Sequence, residues 1–162
     1  MKQTTIVGID YSLTSPCVCV NDGKKIMFYY MTKKKKHLGK IADNIIGEEH
    51  QEYNTPIERF TNISTWVMSK LPKSLKVYIE GYSFGSKGQA IFQIAENCGI
   101  LKYRLQEANI PYETIVPSVV KKGATGKGNA DKDMMYEAFN KETKIDLKKL
   151  FDTDKVGNPI SD

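Results

Sequence analysis

The sequence predicts an α/β protein on a mixed sheet, in which three antiparallel strands are followed by parallel strands, with helices flanking the sheet. Apolar runs rich in β-branched residues are typical of strands, and they occur at 4–10, 17–21, 25–31, 75–80 and 111–116. Asn21-Asp22-Gly23 predicts a tight hairpin between the second and third strands. With 162 residues, the chain is expected to form one domain over 1–162.

Helical patterns separate the later strands. Thr55-Pro56-Ile57-Glu58 predicts a capped helix start, and that helix ends at Pro72. A long helix over 89 to about 109 carries apolar residues on two sides, so it needs two packing partners. One partner is the sheet, and the other is either a second subunit or another element of the same domain.

Other segments give weaker patterns. Residues 32–54 include four lysines at 33–36 and predict an exposed connection with some helix around 38–46. Residues 117–122 are expected to form one helical turn. Asn129 is expected to cap a helix that ends near 140, with inward residues Met134, Met135, Ala138 and Phe139.

The composition limits the classes of protein to which this chain can belong. The net charge is +5, with 24 Lys and Arg against 19 acids, which suits a polyanionic partner. No apolar stretch approaches the roughly 20 residues needed to span a bilayer, and the N-terminus does not resemble a signal peptide. Three cysteines cannot form a paired framework, so they are expected to be reduced in a cytoplasmic protein without membrane association.

Two of the predicted strands end in an acid, at Asp10 and at Glu80. If these strands are neighbours, the carboxylates lie side by side and repel each other unless a proton or a cation lies between them. A hard divalent ion with oxygen ligands is the simplest resolution. Zinc fits poorly, because His37 and His50 lack ligand spacing relative to the cysteines, which are expected in the core.

A glycine-rich loop at 126–128 precedes the last predicted helix. Its glycines let the backbone approach a phosphate, and the helix N-terminus that follows favours anions. Lys127 and Lys132 are therefore candidate contacts to a phosphate, although the spacing of a P-loop is absent. Asp131 and Asp133 are interpreted as partners of the helix dipole rather than as metal ligands.

Asp10, Glu80, the strand order and the segment 124–132 together resemble the RuvC family of Holliday junction resolvases, and more narrowly its phage-encoded members. The resemblance implies an RNase H-like fold, a homodimer, and cleavage of four-way DNA junctions with two Mg²⁺ (or Mn²⁺) ions per active site. It implies metal ligation by Asp10, Glu80 and Asp162, and an aromatic residue near Tyr82 and Phe84 that enters the junction centre. Lys127 and Lys132 are candidate catalytic residues as contacts to the DNA phosphate or to the transition state. The candidate DNA-binding residues are Tyr82, Phe84, Lys87, Lys121, Lys122, Lys127 and Lys132.

The same resemblance places the start of a C-terminal helix at Asn158-Pro159, with a further acid expected three residues beyond Asp162. The final helix is therefore expected to be truncated, and this chain is expected to bind metal weakly and cut DNA poorly.

Three alternatives stay open from the sequence. The first is a nuclease for flaps or replication forks, and the second is a non-catalytic nucleic-acid-binding protein with the same fold. The third is an ATP-binding domain of the actin and sugar-kinase type. That third class needs roughly twice the usual single-domain length and a second glycine-rich phosphate loop, neither of which the sequence provides.

Overall fold

The structure is a computed structural model that describes residues 4–73, 75–82, 88 and 90–156. Its strands are β1 (Thr5–Asp10), β2 (Cys17–Asn21), β3 (Ile26–Thr32), β4 (Gly39–Ala42), β5 (Ile45–Glu49), β6 (Leu75–Glu80) and β7 (Tyr112–Ile115). Its helices are α1 (Pro56–Lys70), α2 (Ala90–Glu107), α3 (Pro117–Thr125), α4 (Lys132–Thr143) and α5 (Leu147–Leu150), with a short 3₁₀ turn at Lys35–His37. None of the described helices is long and apolar enough to cross a membrane.

The strands form one mixed sheet in the order β4-β5-β3-β2-β1-β6-β7. β2 is antiparallel to both β1 and β3, whereas β6 is parallel to β1 and to β7. The predicted antiparallel-then-parallel sheet is therefore confirmed. β3 is also parallel to β5, so β1, β3, β5, β6 and β7 all end at the same edge of the sheet, which we call the carboxyl edge.

One face of the sheet packs on α1 and α2. Alternate residues of β1 and β6, such as Ile9 and Ile79, point into this core, as the period-two pattern of a strand requires. The buried members of this core are Val7, Ile9, Tyr11, Val18, Met31, Ile63, Trp66, Val67, Val77, Ile79, Cys98, Leu101 and Leu105.

The opposite face packs on α4 and α5 over β2, β3 and β5. Its buried cluster consists of Tyr30, Ile45, Leu147 and Phe151. Phe139 of α4 contacts Phe28 of β3 edge to face, with ring centroids 5.3 Å apart. Above β1, by contrast, the described residues cover this face only in part, and Ile6 is 50% exposed.

The interpretation of residues 32–54 as a connection with some helix around 38–46 is wrong. The segment forms the 3₁₀ turn and the β4–β5 hairpin, and β5 extends the sheet by pairing with β3. The hairpin is stabilised by contacts distant in sequence, because His37 packs against Phe151 with ring centroids 4.9 Å apart. Local periodicity carries no signal of such a contact.

Several helix boundaries also differ from expectation. α3 has nine residues rather than one turn, and α5 was not predicted. α4 is capped by Asp131, whose side chain accepts a hydrogen bond from the Met134 amide at 2.9 Å, and not by Asn129. The α1 start is confirmed, since Thr55 Oγ1 accepts from the Glu58 amide at 3.2 Å.

Acidification is expected to destabilise this fold. Burial, followed by the neighbouring Lys36 and Lys34, lowers the pKa of His37 below its usual 6.5, and burial also lowers the pKa of His50. Below about pH 6.5 the unfolded chain then binds more protons than the folded chain, so the free energy of unfolding falls as the pH drops. Urea unfolding at about pH 7.5 and about pH 5.5 measures this loss.

His37→Phe is the matched variant, because it keeps a ring beside Phe151 and removes the titrating group. It should show a smaller loss of stability on acidification than the parent chain. An undiminished pH dependence in this variant would contradict the assignment to His37.

Candidate active site

Asp10 and Glu80 are adjacent at the carboxyl edge of the sheet. Ile9 pairs with Ile79 in the parallel register of β1 and β6, and the two acids are the next residues on each strand. Neighbouring strands are about 4.8 Å apart, so the two backbones hold the acids side by side. Both side chains are half-buried and lie on the face opposite the Ile9 and Ile79 core. The structure therefore brings together two of the three predicted metal ligands.

The groups around Asp10 fit an oxygen-ligated cation better than a thiolate site. Burial, then Cys19, then the charge of Asp10 raise the pKa of Cys17 to about 12. Burial also raises the pKa of Cys98, with a smaller contribution from Asp10. At neutral pH both thiols are protonated in the metal-free protein, and paired carboxylate oxygens are the ligands that suit Mg²⁺ or Mn²⁺.

The third predicted ligand, Asp162, lies outside the described residues. Within the part of the chain that the structure describes, no group of three or more His, Cys, Asp or Glu side chains could hold a metal ion. Asp131 and Asp133 lie at the start of α4, as their interpretation as helix-terminus residues requires.

The loop that follows Asp10 is fixed by two contacts that sequence reasoning missed. The ring Nε2 of His50 donates to the carbonyl oxygen of Thr14 at 2.8 Å, and Arg59 Nη2 donates to that of Leu13 at 2.7 Å. The donor and the acceptor are 36 positions apart in the first contact and 46 in the second, and both acceptors are backbone carbonyls. No side-chain pattern in the sequence therefore predicts these contacts. These contacts hold the β1–β2 loop against β5 and α1, next to the acid that ends β1.

Tyr82 lies two residues after Glu80 and is 42% exposed. Lys102 of α2 places its Nζ 5.5 Å from the centre of the Tyr82 ring, a contact that the sequence did not predict. The ring is therefore accessible and next to a positive charge at the carboxyl edge. The other two predicted contacts in this loop, Phe84 and Lys87, lie outside the described residues.

The remaining predicted residues lie beyond β7, which also ends at the carboxyl edge. Lys121 and Lys122 are in α3, Lys127 is exposed in the α3–α4 loop, and Lys132 begins α4. Thr125 Oγ1 ties this loop to α3, since it accepts from the Lys127 amide at 3.1 Å and donates to the Lys121 carbonyl at 2.8 Å.

Two glycines make the α3–α4 loop possible. Gly126 has φ +80°, a left-handed conformation that favours glycine, and a Cβ on Gly128 would lie 3.1 Å from the Ser118 carbonyl oxygen. The Asp131 carboxylate already caps the α4 N-terminus. Positive side chains, rather than the helix end, are therefore the candidate groups for a phosphate.

The arrangement of strands and helices is that of RNase H-like proteins, as solved structures show. RuvC of Thermus thermophilus superimposes with a TM-score of 0.58 at 15% identity, over 98% of this chain and 86% of that chain. The structure of T. thermophilus RuvC in complex with Holliday junction substrate superimposes with a TM-score of 0.61 at 16% identity, over 96% and 84%. The predicted fold class is confirmed.

The sequence has a curated relative of the same kind. The crossover junction endodeoxyribonuclease RuvC of Brachyspira hyodysenteriae is 28% identical over 120 residues, which cover 69% of this chain and 71% of that protein. No family profile matches the chain. The relative and both structural neighbours are RuvC proteins, and they support the resemblance that Asp10, Glu80 and the segment 124–132 predict.

Metal binding at the carboxyl edge can be measured without any substrate. Asp10→Asn and Glu80→Gln should each weaken Mn²⁺ binding by roughly tenfold or more, because each removes a charged oxygen ligand from the pair. Titration followed by the electron paramagnetic resonance signal of free Mn²⁺ gives the affinity. Asp133→Asn is the matched control and should bind as the parent does; equal Mn²⁺ affinity in all four proteins would rule out the site.

Proposed function

We propose that this chain is a metal-dependent endonuclease that cleaves phosphodiester bonds in four-way DNA junctions. The observation that carries the proposal is the in-register pairing of β1 and β6, which places Asp10 and Glu80 side by side at the carboxyl edge. The sequence relative is a crossover junction endodeoxyribonuclease, and one structural neighbour was solved with a Holliday junction substrate. Both support the proposed reaction, and the closer resemblance to phage-encoded members stays a prediction.

Asp10, Glu80 and Asp162 would hold two Mg²⁺ or Mn²⁺ ions. Val156, six residues before Asp162, packs in the cluster that also includes Cys17, and Cys17 pairs with Asp10 across β1 and β2. The described chain thus ends on the face that carries Asp10, and six residues reach at most about 20 Å. When bound, such ions activate a water molecule and stabilise the leaving oxygen of a phosphodiester.

The DNA would lie across the carboxyl edge. Lys121, Lys122, Lys127 and Lys132 would contact phosphates on the β7 side, where α3 and α4 begin. Tyr82 has an exposed ring beside Lys102 that could stack on an unpaired base, a contact worth about 1–3 kcal/mol. Phe84 and Lys87 follow Tyr82 in the sequence and are proposed to act with it.

We also propose a homodimer through α2. One of the two apolar sides of α2 is not covered by any described part of this chain: Phe92 is 67% exposed and Tyr103 is 62% exposed. Ile57 at the start of α1 is 60% exposed and borders a groove of about 540 Å³ between α1 and α2. An exposed apolar helix face next to a groove is typical of an interaction site.

Asp10→Asn should abolish cleavage of a labelled four-way junction in Mg²⁺ and leave binding unchanged or tighter, because it removes a negative charge near phosphate. Gel assays of cleavage and binding on the same junction separate the two effects. Asp133→Asn, at the exposed start of α4, is the control and should cut at the parent rate. Cleavage by the Asp10 variant at the parent rate would contradict the proposed mechanism.

Phe92→Glu should convert a dimer into a monomer, because it places a charge in an interface where a buried Phe contributes about 1.5–3 kcal/mol. Sedimentation at micromolar concentration gives the oligomeric state. Val119→Glu changes an exposed apolar residue of α3 and should leave the dimer intact. A monomeric parent protein would exclude the proposed interface.

A further inference from the structure

Four consecutive lysines form an exposed segment at the carboxyl edge, on the side of Asp10 away from α3. We call this segment the lysine turn (residues 33–36), and every one of its side chains is exposed. It begins directly after Thr32, the last residue of β3, and β3 runs parallel to β1 because both are antiparallel to β2. Two inter-strand spacings, about 10 Å, separate β3 from β1. Asp10 is level with Tyr30 of β3 through Cys17, so the lysine turn begins three residues beyond the level of Asp10.

The lysine turn is held in place rather than left as a loose loop. Thr32 Oγ1 accepts from the Lys34 amide at 3.1 Å, and the Lys34 carbonyl accepts from the His37 amide at 2.8 Å. The His37 carbonyl accepts from the buried Tyr30 hydroxyl at 2.6 Å. These hydrogen bonds tie both ends of the lysine turn to β3.

Packing beneath the lysine turn adds to this rigidity. The His37 ring is 6% exposed and contacts Phe151. Gly47 of β5 passes so close that a Cβ there would clash with the His37 carbonyl oxygen and lie 2.6 Å from the Tyr30 hydroxyl. A long flexible lysine run would lose more conformational freedom on binding than a turn that is already fixed.

The charges of Lys33, Lys35 and Lys36 are available for an anion. The ion pairs within the described residues involve Lys40, Lys70 and Lys76, and none involves Lys33, Lys35 or Lys36. The positive potential reaches the neighbouring rings, since Lys33 contributes to the lowered pKa of His50 and Lys36 to that of His37.

We propose that the lysine turn binds the phosphate backbone of a duplex arm of the branched DNA; this inference rests on the proposed function. A lysine ammonium group is a compact charge that contacts phosphate independently of the base sequence. The phosphates of a duplex are regularly spaced, so a fixed row of lysines can contact several of them. Together with the lysines of α3, the turn places positive charge on both sides of Asp10 and Glu80. The arm bound by the turn extends away from the cleaved bond, within about one helical turn of it.

The test compares the salt dependence of junction binding in EDTA, where no cleavage occurs. A triple variant, K33Q, K35Q and K36Q, should lower the slope of log K against log salt by up to about 2.7, because each duplex phosphate that a lysine neutralises adds about 0.9 to that slope. The matched control is K24Q, K25Q and K73Q, which removes three exposed lysines at the opposite edge of the sheet and should leave the slope unchanged.

A linear duplex separates binding to a duplex arm from binding at the junction centre. The slope of the triple variant should also fall below that of the parent on a linear duplex of about 21 base pairs, which has a duplex backbone and no junction centre. Equal slopes for parent and triple variant on the junction, or a decrease on the junction that is absent on the linear duplex, would overturn the inference while leaving the proposed function standing. A parent that does not bind four-way junctions even at low salt would instead overturn the proposed function and this inference with it.

Discussion

The parallel, in-register pairing of β1 and β6 is the constraint on which the candidate site depends. Ile9 and Ile79 are almost completely buried under α1 and α2, and this burial fixes the register because a slip of one residue would turn each side chain to the other face. Since successive strand residues alternate between faces, the same register places Asp10 and Glu80 together on the opposite face. The apolar core of the sheet thus sets the spacing of the two carboxylates.

Bringing two carboxylates together has an electrostatic cost that the surrounding charges and any bound cation must offset. The carboxyl edge carries lysines on both sides of the pair, in the lysine turn after β3 and in α3 and the α3–α4 loop after β7. A polyanion would therefore be attracted to the two flanks and repelled at the acids themselves unless cations are bound there. This distribution of charge, more than the moderate net charge of +5, is the basis for proposing that a DNA backbone lies across the edge.

The sequence predicted the elements that local patterns determine. The bounds of β2 and β6 match the expectation, and the adjacency of Asp10 and Glu80 followed from two strand-end acids. The β4–β5 hairpin was missed because its stability comes from pairing with β3 and from packing between His37 and Phe151, 114 positions apart. The bond from His50 to the Thr14 carbonyl was missed for the same reason, since a backbone acceptor leaves no trace in the sequence.

Cleavage of branched DNA by divalent metal at the paired carboxylates is the property to measure first. In the most direct measurement, the protein is incubated with end-labelled four-way, flap and linear DNA, in Mg²⁺ or in EDTA. We expect paired cuts near the centre of the four-way junction in Mg²⁺, with linear DNA intact and no cleavage in EDTA. Preferential cleavage of flaps would show that the substrate is another kind of branched DNA. Undiminished cleavage in EDTA, or no cleavage of any branched DNA in Mg²⁺, would contradict the proposed reaction.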